Sequence, residues 1–264
     1  MFLLLIGTSL NAQKYGLSVE LGQQFGINKL GNYDVPFASE TKFSMGNGIT
    51  RQLMFHLYPD SSNWFVSFGL NQLSGNNVIT AQRKNLPAMD YQVATQRIMS
   101  LRLISRVSYL FTVKSYSFNF SAGFILPLMS KNTEEYRVKD SVGWSLTTAS
   151  IRHYTSVGFN GSIGVAKLIT PKIKCFLNTD INILNHQVKS KKLMAYESSN
   201  GKSFENNFPD IASKETIYRK DVTEIRNNKD VLPQRFNKDQ ATDKLSYRVT
   251  DSSLGFQFGF LFLF

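Results

Sequence analysis

The last residues of the chain, Leu254–Phe264, alternate between large apolar side chains and mostly small or polar ones. Successive side chains of a β-strand point to opposite faces, so this pattern predicts a strand with one fully apolar face. That face consists of Leu254, Phe256, Phe258, Phe260, Phe262 and Phe264. An exposed edge of this kind would aggregate in water, whereas a strand in contact with lipid requires it. The segment therefore favours a strand in a bilayer over a buried strand of a soluble β-sandwich.

The start of the chain has a different apolar pattern. Residues 1–12 form a short apolar run that closes on the small residue Ala12. This pattern is typical of the hydrophobic region and cleavage site of a secretory signal, although the usual basic residues do not precede it. The run is shorter than the roughly 20 apolar residues that a membrane-spanning helix needs. We therefore expect residues 1–12 to be the remnant of a signal peptide and residues 13–264 to be one mature domain.

Composition agrees with an exported membrane protein. Mean hydropathy is slightly negative, as expected when lipid-facing residues alternate with lumen-facing ones. The single cysteine, Cys175, excludes an internal disulfide. Thirty Lys and Arg residues against nineteen Asp and Glu give a formal net charge of +11. For such a protein the expected acidic partner is the phosphate of lipopolysaccharide rather than nucleic acid.

Seven further segments alternate with a period of two, and the second face of most is small and polar, as a narrow barrel lumen requires. They lie at residues 15–22, 52–57, 64–71, 101–111, 116–124, 157–165 and 173–183. Together with the terminal segment they predict an all-β fold: a single antiparallel up-and-down transmembrane β-barrel of eight strands. A ten-stranded barrel is the alternative, because Thr216–Thr223 has the composition of a further strand.

The connections between these segments differ in length. Short turns are predicted at residues 59–63, 112–115 and 170–172, and long polar connections near 26–44, 74–95, 127–150 and 185–244. Short periplasmic turns and long extracellular loops are typical of outer-membrane barrels. An even number of strands then places both termini in the periplasm. At that end we expect an aromatic belt at the lipid interface, formed by Tyr15, Tyr58, Trp64, Tyr109, Tyr116 and Phe264.

With these features the chain resembles the small eight-stranded outer-membrane barrels. It is similar to OmpA transmembrane domains and to OmpX, and most of all to the Bacteroidetes outer-membrane β-barrel group that includes the secretion factor PorT. The resemblance implies that Phe260, Phe262 and Phe264 form the signal that the barrel assembly machinery recognises. It also implies contacts with outer-membrane lipid, lipopolysaccharide and another outer-membrane protein, and no cofactor.

The three histidines, His56, His153 and His186, are the candidates for catalysis. An enzyme that acylates or deacylates lipid A needs a histidine next to a serine and a carboxylate. His153 has Ser156 nearby and Asp140 upstream, but the pattern matches no such enzyme. The sequence shows neither metal-ligand spacing nor a phosphate-binding loop. We therefore expect a non-enzymatic protein without metal or cofactor, and a lipid-A-modifying enzyme is the alternative.

Charged residues fall on the inward phase of several strands. Counted from the short-turn end, Glu20 and Arg106 lie at similar heights, as do Asp180 and Arg102. These two pairs predict a hydrogen-bonded plug, since an unpaired charge in a narrow lumen is costly. The alternative is a narrow anion path lined by both arginines and Lys174. We expect the plug, and with it a structural or interaction protein that presents its loops or docks in a larger outer-membrane complex for secretion or assembly.

Overall fold

The computed structural model describes residues 14–27, 44–59, 63–86 and 89–264, and within these the side chains of residues 81–91 are not described. The expected signal-peptide remnant, residues 1–12, lies outside the described residues. The helices found in this part of the chain are short, and none of them has the length and apolar character needed to cross a membrane.

Fourteen strands and two one-turn helices make up the described regular structure. The strands are β1 (Lys14–Gly26), β2 (Gly48–Tyr58), β3 (Trp64–Gly75), β4 (Val78–Leu86), β5 (Met89–Val113), β6 (Tyr116–Lys139), β7 (Trp144–His153), β8 (Gly158–Thr170), β9 (Ile173–Ile183), β10 (Asn185–Ser198), β11 (Glu215–Arg219), β12 (Thr242–Leu245), β13 (Arg248–Thr250) and β14 (Ser253–Leu263). The helices are α1 (Phe204–Asn207) and α2 (Ile211–Lys214).

Eight of these strands close into an antiparallel barrel. The neighbours around the ring are β1, β2, β3, β5, β6, β8, β9 and β14, and β14 pairs with β1. At the closing seam Val19 lies opposite Phe260, and the Phe264 N–H donates to the carbonyl of Tyr15 at 2.9 Å. The predicted fold class and strand number are confirmed, and each predicted segment lies in one barrel strand.

The two faces of the barrel wall follow the predicted alternation. On β14, Phe256 and Phe258 are each 51% exposed on the outside, whereas Gly255 and Gln257 are buried inside. Gly255 is required there because a Cβ atom would lie 2.4 Å from the side-chain amide carbon of Gln24. A polar, tightly filled interior and an apolar exterior are the two surfaces that a small membrane barrel needs.

The short connections from β2 to β3, from β5 to β6 and from β8 to β9 lie at one end of the barrel, which we call the turn end; the opposite end is the loop end. Residues 114–115 join β5 to β6, with Lys114 in the left-handed region at φ 55°. Pro171 and Lys172 join β8 to β9. The third turn, after β2, is described only at its edges. Its short span agrees with the predicted 59–63 connection.

Aromatic side chains gather at the turn end, with one exception to the predicted belt. The Trp64 and Tyr109 rings meet edge to face with centroids 5.0 Å apart on the outer surface. Tyr58 instead follows the inward phase of β2 and stacks on Phe65 at 4.8 Å inside the lumen. The prediction that Tyr58 belongs to the outer belt was wrong, because Tyr58 lies on the same face of β2 as His56, which faces the lumen.

Three of the long connections, near 74–95, 127–150 and 185–244, continue the barrel sheet beyond the loop end and form a region that we call the extension. Strands β5 and β6 continue beyond the barrel, and the order across the extension is β4, β5, β6, β7, β10, β11, β12, with β13 paired to β10. Strand β11 lies within the segment that suggested extra barrel strands, but it pairs with β10 and β12 only. The ten-stranded alternative is therefore wrong.

One edge of β6 pairs with two different strands along its length. Strand β8 pairs with β6 up to Ile125, and β7 pairs with it from Asn132 onward. Residues 126–131 of β6 lie between these two ladders. The connection from β7 to β8, residues 154–157, passes this interruption.

An apolar cluster, which we call the roof, covers the loop end of the lumen. It joins barrel strands to the extension and consists of the buried residues Met45, Leu73, Ile98, Ile151, Val188, Tyr218 and Val249. Because Leu73 and Ile98 belong to barrel strands and Val188 and Tyr218 to the extension, burial of the roof fixes the extension onto the barrel.

Candidate functional site

The inward face of β5 gives the order of the layers that fill the lumen. From the turn end toward the loop end, its buried residues are Ser108, Arg106, Ile104, Arg102, Ser100 and Ile98, so that two polar residues precede each apolar one. Two arginine layers are thus separated by an apolar layer, and the roof follows.

The turn end of the lumen holds a small vestibule with a cavity of about 60 Å³. His56 spans it: Nδ1 lies 2.7 Å from the Ser67 hydroxyl and Nε2 lies 2.9 Å from the Ser18 hydroxyl. The Lys174 ammonium donates to the Ser117 hydroxyl at 3.2 Å on the same wall. His56 is therefore a lumen histidine held by two hydroxyl groups, as its strand phase predicted.

Arg106 forms the first charged layer. Its Nη2 lies 3.4 Å from the Asp180 carboxylate, and its Nε donates to the side-chain oxygen of Asn160. Glu20 is buried nearby, and its Oε1 accepts a hydrogen bond from Ser18 at 2.9 Å. The guanidinium therefore shares a dry layer with two carboxyl groups.

The four charged residues predicted for the lumen are all buried there, but the predicted pairing was wrong. Arg106 pairs with Asp180 rather than with Glu20, and Arg102 pairs with Asp251 rather than with Asp180. Counting residues from the strand ends neglects the tilt of the strands and the stagger between them, and in a closed barrel these shift which residues meet across the lumen.

An apolar layer separates the two arginines. It is formed by the buried side chains of Met54, Ile104, Ile125 and Leu184. All four are at most 1% exposed and fill this level of the lumen, while a hydrogen-bonded chain runs beside them from Asn160 to Asn182 and on to Gln24 and Ser253. Side chains therefore fill the lumen in successive layers.

Arg102 forms the second charged layer, just below the roof. Its Nη2 donates to the Asp251 carboxylate at 2.5 Å, and its Nε donates to the Ser100 hydroxyl at 2.7 Å. Both members of the ion pair are at most 1% exposed. Because both side chains are buried, this charge-assisted hydrogen bond is strong, and it joins β5 to the segment that precedes β14.

A hydrogen-bonded chain continues from Asp251 toward the outside. The carboxylate also lies 3.2 Å from His186 Nε2, and His186 Nδ1 lies 3.1 Å from the Ser156 hydroxyl. His186 is 1% exposed and Ser156 is half-buried. The His153 ring stacks on His186 with centroids 5.0 Å apart.

Burial and charge set the ionisation of this chain at the loop end. Burial disfavours the Asp251 carboxylate, but Arg102 and the hydrogen bond from His186 outweigh it and hold its pKa below the usual value. Burial, with some repulsion from His186, lowers the pKa of His153 to about 3. Asp251 is therefore ionised and His153 neutral at neutral pH.

The sequence singles out all three histidines but does not indicate that Ser156, His186 and Asp251 come together. His153, considered together with Asp140, does not contact it; Asp140 caps the β6–β7 turn by accepting from the N–H groups of Val142 and Gly143. Asp251 lies 65 residues from His186 along the chain, so no local spacing relates them. The sequence offered one indication: Arg102 was expected inside the lumen, where it needs a buried carboxylate as its counter-charge.

Among the described residues, no three histidine, cysteine or acidic side chains come close enough together to hold a metal ion.

Comparison with known proteins finds similarity among solved structures but none at the level of sequence families. No protein-family model matches the sequence, and no curated protein matches it. Among solved structures the chain is similar to Neisserial surface protein A (NspA), with a TM-score of 0.39 and 8% identity over 95% of this chain and 96% of that one.

Proposed function

We propose that the protein is an integral outer-membrane barrel that holds a folded extension at the cell surface and acts there as a structural or interaction protein. The observation that carries this proposal is the filled lumen. Two ion-paired arginine layers, an apolar layer and the roof follow one another along the axis. A conducting channel needs a continuous water-filled path, and these layers of packed side chains argue against the alternative of an anion-selective pore.

The outer-membrane location rests on the barrel exterior. Apolar side chains cover the outside of the eight-stranded ring, as on Val19, Phe68, Phe124 and Phe258, which are 45–67% exposed. In water this surface would cause association. By analogy with other outer-membrane barrels, the turn end, where β1 begins and β14 ends, faces the periplasm and the extension faces outward.

Lipopolysaccharide phosphate is the partner that the extension best accommodates near the bilayer. A groove of about 250 Å³ lies on the outer side of β5 and β6, just beyond exposed Met99. Arg97 and Lys131 line it beside Thr133, with Glu135 at one edge. Two cations close to the lipid surface attract phosphate groups. Docking beside another outer-membrane protein would use the remaining face of the extension.

Purification from native membranes in mild detergent tests the interaction role. We expect lipopolysaccharide and a second outer-membrane protein to co-purify in constant ratio with the full-length chain. Deletion of residues 201–241, which removes α1, α2, β11 and the roof residue Tyr218 but leaves all eight barrel strands, should release the protein partner and retain the lipopolysaccharide. A wild-type protein that purifies alone would count against an interaction role.

A further inference from the structure

Ser156, His186 and Asp251 are arranged as the groups that activate a serine nucleophile. The ionised Asp251 cannot donate, so the 3.2 Å contact places a proton on His186 Nε2. Nδ1 is then the free acceptor, 3.1 Å from the Ser156 hydroxyl. The two ring nitrogens exchange places relative to the usual serine hydrolase, but each performs the same step, and such sites are recognised by geometry and roles.

The burial of these three residues is graded. Asp251 and His186 are at most 1% exposed, and only Ser156 reaches the surface. A shielded base with an accessible hydroxyl is what acyl transfer requires, because water would otherwise compete for the histidine. Arg102 keeps the carboxylate ionised and fixed in place.

The backbone around Ser156 supplies candidate donors for a developing oxyanion. Within the described residues, the Tyr154 N–H donates to the Gln187 carbonyl at 2.8 Å, but no backbone hydrogen bond uses the N–H of Thr155, Ser156 or Val157. The N–H of the nucleophile itself commonly forms part of an oxyanion hole. These three groups lie in an irregular segment between β7 and β8.

The position of Ser156 suits a substrate that resides in the membrane. It lies where β8 leaves β6 and before β7 joins it, at the loop end of the barrel. Val157, Leu128 and Met129 on the facing segments are 68%, 49% and 70% exposed. An acyl chain can lie along this apolar surface while its ester group reaches Ser156.

We propose that Ser156 is the nucleophile of an acyl-ester hydrolase site that acts on lipid-borne carboxylic esters at the outer surface. The Ser156 oxygen bonds to the ester carbonyl carbon, and its proton passes to His186 Nδ1. Collapse of the tetrahedral intermediate breaks the bond to the alkoxy group, which takes that proton and leaves as the alcohol. Water then attacks the acyl-serine through His186 and releases the carboxylic acid. Asp251 is a positioning residue that sets the imidazole tautomer.

This site goes beyond the proposed surface role; its place at the outer surface rests on the proposed orientation, whereas labelling of Ser156 in micelles does not. It also runs against the expectation, drawn from the sequence, that the protein is not an enzyme. That expectation rested on the surroundings of His153, which packs against His186 and does not contact Ser156.

Covalent labelling with a fluorophosphonate probe tests the proposal on the full-length protein in detergent micelles. Mass spectrometry should find the probe on Ser156. We expect Ser156→Ala to abolish labelling and His186→Gln to slow it by about 100-fold, since general base catalysis contributes at least that much. Ser198→Ala replaces a half-buried serine at the end of β10; it is the matched control and should label as wild type does. Heat-modifiable migration on gels verifies that each variant is folded.

Three results decide the matter. Folded wild-type protein without probe on Ser156, or equal labelling rates in folded His186→Gln and wild type, would overturn the proposal. Among variants that migrate as folded barrels, Asp251→Glu should retain labelling and Asp251→Asn should lose it, and Arg102→Met, which removes the same ion pair but keeps the carboxylate, should retain it. If His186→Gln does not fold, the rate of p-nitrophenolate release from p-nitrophenyl octanoate is compared between wild type and Ser156→Ala. Equal rates would overturn the proposal.

Discussion

The Arg102 guanidinium donates to the Asp251 carboxylate at 2.5 Å, across 149 residues of sequence. This ion pair joins the middle of barrel strand β5 to the segment between the extension and β14. It also connects the closed lumen to the Ser156–His186 chain, because one carboxylate oxygen accepts from both Arg102 and His186. The Arg102–Asp251 pair therefore bears on the stability of the barrel, on the closure of the lumen and on the hydrogen bonding of His186.

The first prediction concerns stability. Arg102→Met should lower the free energy of unfolding by about 3–5 kcal/mol, because it leaves the Asp251 charge buried and unpaired. Arg137→Met is the control: the Arg137–Glu135 pair is 3.5 Å long and largely exposed, and its loss should cost about 0–1 kcal/mol. Urea unfolding in detergent, followed by gel mobility, measures both. Equal midpoints for the two variants would contradict the role of the buried pair.

The same pair predicts a dependence on pH. Because the pKa of Asp251 is lower folded than unfolded, the pair stabilises the protein above the ordinary carboxyl value of about 3.9 and loses this contribution as the pH falls through the folded pKa. The stability gap between wild type and Arg102→Met should therefore be full at pH 7 and narrow below about pH 4. A gap that widens in acid would show the opposite linkage.

Closure of the lumen is tested by conductance. Wild-type protein in planar bilayers should show no steady single-channel current, since Ile104, Met54 and their neighbours fill the layer between the arginines. The double variant Met54→Ala with Ile104→Ala removes that layer and should admit water and small ions. Phe258→Ala, on the lipid side of β14, should leave the lumen closed. Steady anion-selective current from wild type would favour the transport alternative.

Topology is tested by cysteine labelling in a Cys175→Ser background. Asn200→Cys lies at the tip of the extension, and Lys114→Cys lies in the β5–β6 turn at the opposite end. A membrane-impermeant maleimide added to intact cells should label the first and spare the second until the outer membrane is permeabilised. The reverse pattern would invert the proposed orientation.

Insertion of the terminal strand depends on its apolar face. Phe260→Arg places a charge among lipid chains near the centre of β14, at a cost of about 2–4 kcal/mol, and should lower the amount of folded protein in the outer membrane. Deletion of Phe264 should do the same by removing the proposed assembly signal. Leu245→Arg, in the extension, is the matched control: Leu245 is 49% exposed, but outside the barrel. Wild-type levels for Phe260→Arg would show that this face does not meet lipid.

Lipopolysaccharide binding is tested by charge reversal. Lys131→Glu in the groove beside the bilayer should reduce the lipopolysaccharide that co-purifies, because it removes a cation and adds a repulsive charge. Lys202→Glu makes the same change at the far tip of the extension, between β10 and α1, and should leave the ratio unchanged. Equal losses would indicate a general charge effect instead of a site.

Sequence alone determined the barrel. A period of two in eight segments, with small polar residues on the second face, follows from strand geometry and the two solvents of a membrane barrel, and both are local properties. The short turns at 112–115 and 170–172 were equally local. These features favoured eight strands and assigned the inner and outer faces of the barrel strands, with Tyr58 as the exception.

Only the tertiary structure decided which inward residues meet and what the long connections become. Arg102 finds Asp251, and His186 finds Ser156, because strand tilt and register set the heights of distant segments in the closed ring. Strand β11 joined the extension because its partners, β10 and β12, lie beyond the barrel. A strand pattern states that a segment will pair but not with which neighbour, since pairing energy depends on contacts between residues far apart in sequence.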